Sequence, residues 1–182
     1  MKKKIVLAAA IVFSLLATNK VSAQESAKFD DVTGVNLLNA GIGLGTFGLY
    51  GTGGLPLTAS FEHGFSKNIS AGLEAGLVQR NYGSGWKYSY FIIGARGSYH
   101  FNEVLNVSNP KLDVYGGAGL LYRHFKVKYS GEWDELYGKS SSGDVTLDLH
   151  AGGRYMFSDN VGGFAEVGYG FSPLKLGVSL KF

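Results

Sequence analysis

The nine residues Leu174-Lys-Leu-Gly-Val-Ser-Leu-Lys-Phe182 carry the pattern that decides the fold. Every even-numbered position in this stretch is apolar, and every odd-numbered position is lysine, glycine or serine. A period of two residues is typical of a β-strand that has one apolar face and one polar face. The pattern therefore predicts a last strand that runs to Phe182 itself.

The same alternation recurs upstream, in segments of about ten residues separated by clusters of glycine, serine, asparagine, aspartate and proline. No window after residue 23 has a clear helical period or the ~18 consecutive apolar residues of a membrane helix. An even number of short alternating segments is typical of a transmembrane β-barrel. We predict an all-β, eight-stranded antiparallel up-and-down barrel. Its strands are expected at 36–45, 55–64, 69–80, 88–101, 111–126, 144–157, 161–171 and 174–182.

The first residues have the composition of a secretory signal. Three lysines, Lys2 to Lys4, precede an apolar run from Ile5 to Ala17, and Val21-Ser22-Ala23 resembles a cleavage site. We predict a signal peptide at 1–23, a periplasmic leader at 24–33 and the barrel at 34–182.

Charge and cysteine content exclude several classes of protein. The chain has a formal net charge of +3, but residues 1–23 contain four lysines and no acid, so the rest is near −1. No basic stripe remains that could bind nucleic acid. The chain has no cysteine, which excludes disulfides and thiolate metal sites. The four histidines lack metal-ligand spacing, and we predict no metal and no cofactor.

Charged residues in the predicted strands lie opposite the apolar stripe. Small residues mixed with acids and arginines suit a narrow lumen, and aromatic residues gather at the strand ends of the apolar face, as in interfacial girdles. Turn positions set Glu74 opposite Arg96 and Arg123 opposite Asp148, with Glu166 diagonal to Arg154. The predicted lumen ion-pair network consists of Glu74, Arg96, Arg123, Asp148, Arg154 and Glu166.

The end of the chain resembles the assembly signal of outer-membrane barrels, through Lys175, Gly177, Leu180 and Phe182. Together with the eight segments, this pattern resembles the small OmpA/OmpX-type, porin-like outer-membrane barrels. The resemblance implies location in the bacterial outer membrane, both termini in the periplasm and a last strand recognised by the barrel-assembly machinery. It implies contact with outer-membrane lipid and lipopolysaccharide. We expect a monomer whose long loop, 127–143, is available to an extracellular partner.

Two alternatives to a structural or surface-interaction role stay open. Some eight-stranded barrels are enzymes that modify lipid A, and estimated register sets Ser89 opposite His124, with Asn81 beside Ser89. An amide in place of a carboxylate argues against an activated serine, and we predict no catalytic residues. A narrow solute pore is the other alternative, but side chains nearly fill the interior of an eight-stranded barrel.

Overall fold

The computed structural model describes residues 29–49, 52–82, 85–129 and 139–182, and in these ranges the chain is built from β-strands and their connections. No helix there is long and apolar enough to cross a membrane. The strands are β1 (Asn36–Leu44), β2 (Thr52–Gly53), β3 (Leu57–Ser66), β4 (Ile69–Tyr82), β5 (Trp86–His100), β6 (Leu112–Tyr129), β7 (Lys139–Met156), β8 (Val161–Tyr169) and β9 (Leu174–Lys181).

The eight long strands form one closed antiparallel barrel. Each pairs with the next long strand along the chain, and β1 pairs with β9 from Leu37 opposite Lys181 to Leu44 opposite Leu174. At the end of this seam, Asn36 N donates to Phe182 O (2.7 Å) and Phe182 N donates to Asn36 O (3.0 Å). The terminal strand predicted from the alternation is therefore the strand that closes the barrel. A closed barrel leaves no strand edge unpaired.

The period of two sorts side chains between the outside and the lumen. Leu73 and Leu120 point outward and are 59 % and 60 % exposed, whereas Glu74, one position along from Leu73, is 2 % exposed. The same division holds around the barrel, so the apolar stripe of each strand faces away from the interior. An ordinary soluble barrel has the opposite arrangement, with its apolar face inside.

The inside of the barrel has three layers. Buried charged and polar side chains occupy the middle. At the end with the connections 45–56, 83–85 and 170–173 lies the loop-end cluster, formed by Leu49, Val78, Tyr90, Ile92, Leu121 and Phe171. At the end with both termini lies the terminal-end cluster, formed by Phe29, Val32, Leu37 and Met156.

The terminal-end cluster includes two residues of the predicted periplasmic leader 24–33. Phe29 and Val32 are buried, although residues 24–28 lie outside the described ranges. Val32 N donates to Lys67 O (3.0 Å), and Lys181 Nζ lies 4.9 Å from the centre of the Phe29 ring. Phe29 and Val32 are too few to form a periodic pattern. Their burial is therefore evident only from their position at the terminal end of the barrel.

Strands β6 and β7 extend beyond the predicted bounds of 111–126 and 144–157. Their register continues to Lys128 opposite Lys139, which makes a long hairpin. The backbone hydrogen bonds between two strands can continue beyond their apolar residues, because these bonds do not depend on the polarity of the side chains. Strand β2 was not predicted; its two residues pair with the end of β4.

Candidate functional site

Arg96 lies at the centre of a buried group of charges. Its Nη1 donates to Glu74 Oε2 (2.9 Å) and its Nη2 donates to Glu166 Oε2 (2.7 Å), while its Nε forms an ion pair with Glu62 Oε1 at 3.3 Å. Lys175 Nζ donates to Glu166 Oε1 (3.0 Å) and also to Glu74. These side chains are at most 5 % exposed. The two cations, Arg96 and Lys175, are thus paired with three carboxylates, and the whole group is buried away from water.

Arg154 forms a second centre nearer the termini. Its Nη1 donates to Asp113 Oδ2 (2.5 Å), and its Nη2 lies 3.4 Å from Glu62 Oε1. The Tyr115 ring lies under the guanidinium, with 3.8 Å between Cζ and the ring centre, and the Tyr115 hydroxyl donates to Glu166 Oε2 (3.1 Å). Glu62 and Tyr115 therefore join the Arg96 and Arg154 centres.

Two buried histidines extend the group on the β5–β7 side. Each has one ring nitrogen beside a carboxylate and the other beside a serine hydroxyl. The contacts are His100 Nδ1 to Asp113 (2.8 Å), His100 Nε2 to Ser70 (3.0 Å), His150 Nδ1 to Asp148 (2.8 Å) and His150 Nε2 to Ser98 (2.9 Å).

We call this connected set of side chains the lumen network. Every one of the eight long strands contributes at least one member. The members are Asn39 of β1, Glu62 of β3, Ser70 and Glu74 of β4, Arg96, Ser98 and His100 of β5, Asp113 and Tyr115 of β6, Asp148, His150 and Arg154 of β7, Glu166 of β8 and Lys175 of β9. Buried charges are tolerated only when they are paired in this way.

The structure changes two of the predicted cross-strand pairs. Arg96 is opposite Gly72 rather than Glu74, and the long arginine side chain reaches Glu74 on the diagonal. Arg123 is opposite Asp144, four residues from the predicted Asp148. Register estimated from turns was wrong because these strands continue past their predicted ends, β4 to Tyr82 and β6 to Tyr129.

Arg123 does not belong to the lumen network. It forms an ion pair with Asp144 at the rim of the barrel, where the two side chains are 27 % and 56 % exposed. Asp148 instead binds His150. Glu166 lies diagonal to Arg154, as predicted from register, but its oxygens bind Arg96, Lys175 and the Tyr115 hydroxyl.

Several network members were not assigned to the ion-pair network by sequence reasoning. Lys175 was interpreted only as part of an assembly signal, yet its Nζ lies in the lumen between two carboxylates. The sequence did contain an indication of this, because Lys175 has an odd-numbered position on β9, on the polar face of that strand. Gly177 also faces inward, whereas Leu180 and Phe182 lie on the outward face, where the Phe182 ring is 6.5 Å from that of Phe61. Their predicted role in assembly stays a prediction.

The register also separates the residues of the enzyme alternative. His124 is opposite Phe91, Ser89 is opposite Lys126, and Asn81 is opposite Lys87. The predicted facing pair of Ser89 and His124 is therefore wrong. Among the residues that the structure describes, no hydrogen bond joins Ser89 to His124 as a nucleophile and its base would be joined.

Outside the barrel wall, one charged cluster ties two connections together at the terminal end. Glu103 accepts from Lys67 Nζ (2.8 Å) and from Asn68 Nδ2 (3.1 Å). The hydrogen bond from Lys67 holds the pKa of the Glu103 carboxyl below its usual range, and the pKa of Lys67 is raised by the same contact. At the other end, the rings of Trp86 and Tyr129 lie 4.9 Å apart, while Trp133 and Tyr137 lie outside the described residues.

Solved structures share this fold. The N-terminal β-barrel domain of Pseudomonas aeruginosa OprF matches with a TM-score of 0.57 and 16 % identity, over 82 % of this chain and 98 % of that one. Neisserial surface protein A matches with a TM-score of 0.56 and 17 % identity, over 81 % and 96 % of the two chains. OprG from Pseudomonas aeruginosa matches with a TM-score of 0.56 and 14 % identity, over 85 % and 99 %. The chain has the fold of the small eight-stranded outer-membrane β-barrels.

Sequence comparison adds no family to this class. No family model matches the chain. Among curated proteins, RecA of Rhodospirillum rubrum is 34 % identical over 108 residues, and RecA of Chelativorans sp. is 28 % identical over 123 residues. These matches cover 58 % and 66 % of this chain but only 27 % and 31 % of the RecA proteins. The chain therefore spans less than a third of the length of these curated relatives.

Proposed function

We propose that this protein is an outer-membrane β-barrel that acts through its structure and its surface, without catalytic chemistry. The observation that carries the proposal is the exposure of apolar side chains all around the barrel. Leucine, isoleucine, valine and aromatic residues that are 40–67 % exposed occur on every long strand. In water such a continuous apolar surface is unfavourable, whereas the hydrocarbon of a bilayer is its natural solvent.

The lumen network supports a barrel closed to solutes. Its charged side chains cross the interior at mid-height, and an apolar cluster lies on either side of it. A cavity of about 10 Å³ beside Asn39, Ser60 and Lys175 has room for about one water molecule. We therefore favour a structural or surface-interaction role over the narrow pore.

Surface interaction would use the end of the barrel that carries the long β6–β7 hairpin. The hairpin is paired to Lys128 and Lys139, and β5 pairs alongside it up to Trp86 opposite Tyr129. Three paired strands, β5, β6 and β7, therefore form this end of the barrel. With both termini in the periplasm, the hairpin lies outside the cell, where it is available to an extracellular partner.

A charge on the outward face distinguishes a membrane barrel from a soluble one. We expect Leu120→Lys to destabilise the barrel in lipid bilayers by about 2–4 kcal/mol, because the lysine would replace a leucine that faces hydrocarbon. The measurement is urea unfolding of protein folded into vesicles. The matched control is Val104→Lys, since Val104 is equally exposed, at 61 %, but lies in the connection 101–111. Equal stability of the two variants would contradict a membrane-embedded wall.

Location is tested directly in cells. We expect the mature protein to start at or within a residue or two of Gln24 and to fractionate with the outer membrane, because Lys2–Lys4 and Val21-Ser22-Ala23 have the form of a signal and its cleavage site. N-terminal sequencing and sucrose-gradient fractionation are the measurements. A retained Met1, or protein in the soluble periplasm, would contradict the proposal.

A further inference from the structure

The two faces of the barrel wall carry different charges. All six acidic residues of the strands lie at positions that face the lumen or its rim: Glu62, Glu74, Asp113, Asp144, Asp148 and Glu166. On the outward face, the charged side chains that the structure describes are Lys87, Lys126 and Lys128, and all three are exposed. The outward charge that the structure describes on the strands is thus wholly positive.

Register gathers these lysines into one patch. Lys87 of β5 is directly opposite Lys128 of β6, and the backbone of β7 sets Lys139 opposite Lys128 on the other side. Lys126 occupies the next outward row, opposite Ser89. Like charges in directly opposed positions of neighbouring strands repel each other and destabilise the pair. None of the three exposed lysines forms a salt bridge with another residue in the described part of the chain.

The patch lies just beyond the apolar belt at the loop end. Phe91, which is 42 % exposed, is the last apolar outward residue of β5 before Ser89 and Lys87. Lys87 lies four residues from Phe91 toward the loop end, which is about 13 Å along the strand and less along the membrane normal because barrel strands are tilted. In a bilayer, the change from apolar to charged outward side chains marks the boundary between hydrocarbon and headgroups.

We propose that Lys87, Lys126 and Lys128 form a binding site for the phosphate groups of anionic lipid headgroups in the leaflet at the loop end. The inference rests on the proposed membrane location. A phosphate between Lys87 and Lys128 neutralises two opposed charges at once and supplies acceptors that the ammonium groups do not find among the described residues. The apolar wall below the patch holds the acyl chains of the same lipid, so headgroup and chains bind together.

The test measures retention of diphosphoryl lipid A by folded, detergent-solubilised protein, using native mass spectrometry. We expect Lys126→Gln to lower the affinity about fivefold and the triple variant Lys87→Gln/Lys126→Gln/Lys128→Gln about 100-fold, in line with the contribution of each lysine to binding an anionic surface. Added salt should weaken retention by the wild type more than by the triple variant. The zwitterionic lipid phosphatidylcholine should bind all variants alike.

Lys111→Gln is the matched control, because Lys111 is exposed at the opposite, terminal end of the barrel. We expect it to retain lipid A as the wild type does. A folded triple variant with unchanged retention, or an equal loss in Lys111→Gln, would overturn the site. Neither result depends on cell fractionation, which tests membrane location separately. Heat-modifiable migration in gels establishes that each variant is folded.

Discussion

Replacing Arg96 by methionine is expected to lower the free energy of unfolding by about 3–5 kcal/mol. Methionine matches much of the volume of arginine but removes the cation that Glu62, Glu74 and Glu166 share. Lys175 would then be left with carboxylates that repel each other in a site with almost no access to water. Urea unfolding of the variant in vesicles, compared with the wild type, measures the difference.

Arg123→Met is the matched control for this substitution. Arg123 also faces the inside of the barrel and also forms an ion pair, but at the rim, where its partner Asp144 is 56 % exposed. Exposed ion pairs contribute about 0–1 kcal/mol, so the control should unfold nearly as the wild type does. Similar losses in the two variants would show that the lumen network does not behave as a buried, interdependent group.

Replacing Gly177 by valine is expected to prevent closure of the barrel, at a cost of about 3 kcal/mol or more. Gly177 of β9 is directly opposite Gly41 of β1. A Cβ on Gly177 would collide with the carbonyl oxygen of Ala40 and would lie 2.8 Å from Cε1 of the Phe164 ring. The backbone of β1 cannot move away from this Cβ without breaking the hydrogen bonds that join the first strand to the last.

Gly97→Val serves as the control for the glycine substitution. A Cβ at Gly97 of β5 would have Ser70 O as its nearest neighbour at 3.7 Å, an ordinary contact. We expect this variant to fold with the wild-type yield, and the Gly177 variant to give little of the protease-resistant, heat-modifiable form. Gly177→Val that folds normally would mean that the seam tolerates a side chain and is looser than the structure shows.

These two predictions address different ways in which the barrel is specified. The lumen network joins residues far apart in the chain; Arg96 and Glu166, for example, are separated by 70 positions. Breaking it leaves unpaired charges in a complete barrel. The Gly41–Gly177 seam matters at an earlier step, the closure of the barrel, because a first and a last strand that cannot approach each other cannot pair. Comparing the two variants therefore separates the stability of the folded barrel from its formation.

Parity and register illustrate how far sequence reasoning extends. The estimated pairs were displaced by two residues for Glu74 and Arg96, by two for Ser89 and His124, and by four for Arg123 and Asp148. All three errors are even numbers. An odd shift would turn a strand's apolar stripe toward the lumen and its acids toward lipid. The alternation therefore predicts which face of the barrel wall each side chain occupies. It does not fix the register, because shifting a strand by two or four residues leaves the alternation unchanged.

The sequence by itself determined the number of long strands, the face on which each side chain lies and the position of the last strand, because each depends on a local period of two. Only the tertiary structure decided that Arg123 lies at the rim, that Lys175 joins the lumen network and that Phe29 and Val32 cover the terminal end. These contacts depend on register, strand length and closure. Each brings together residues that no local pattern connects, so their distances exist only once the barrel is closed.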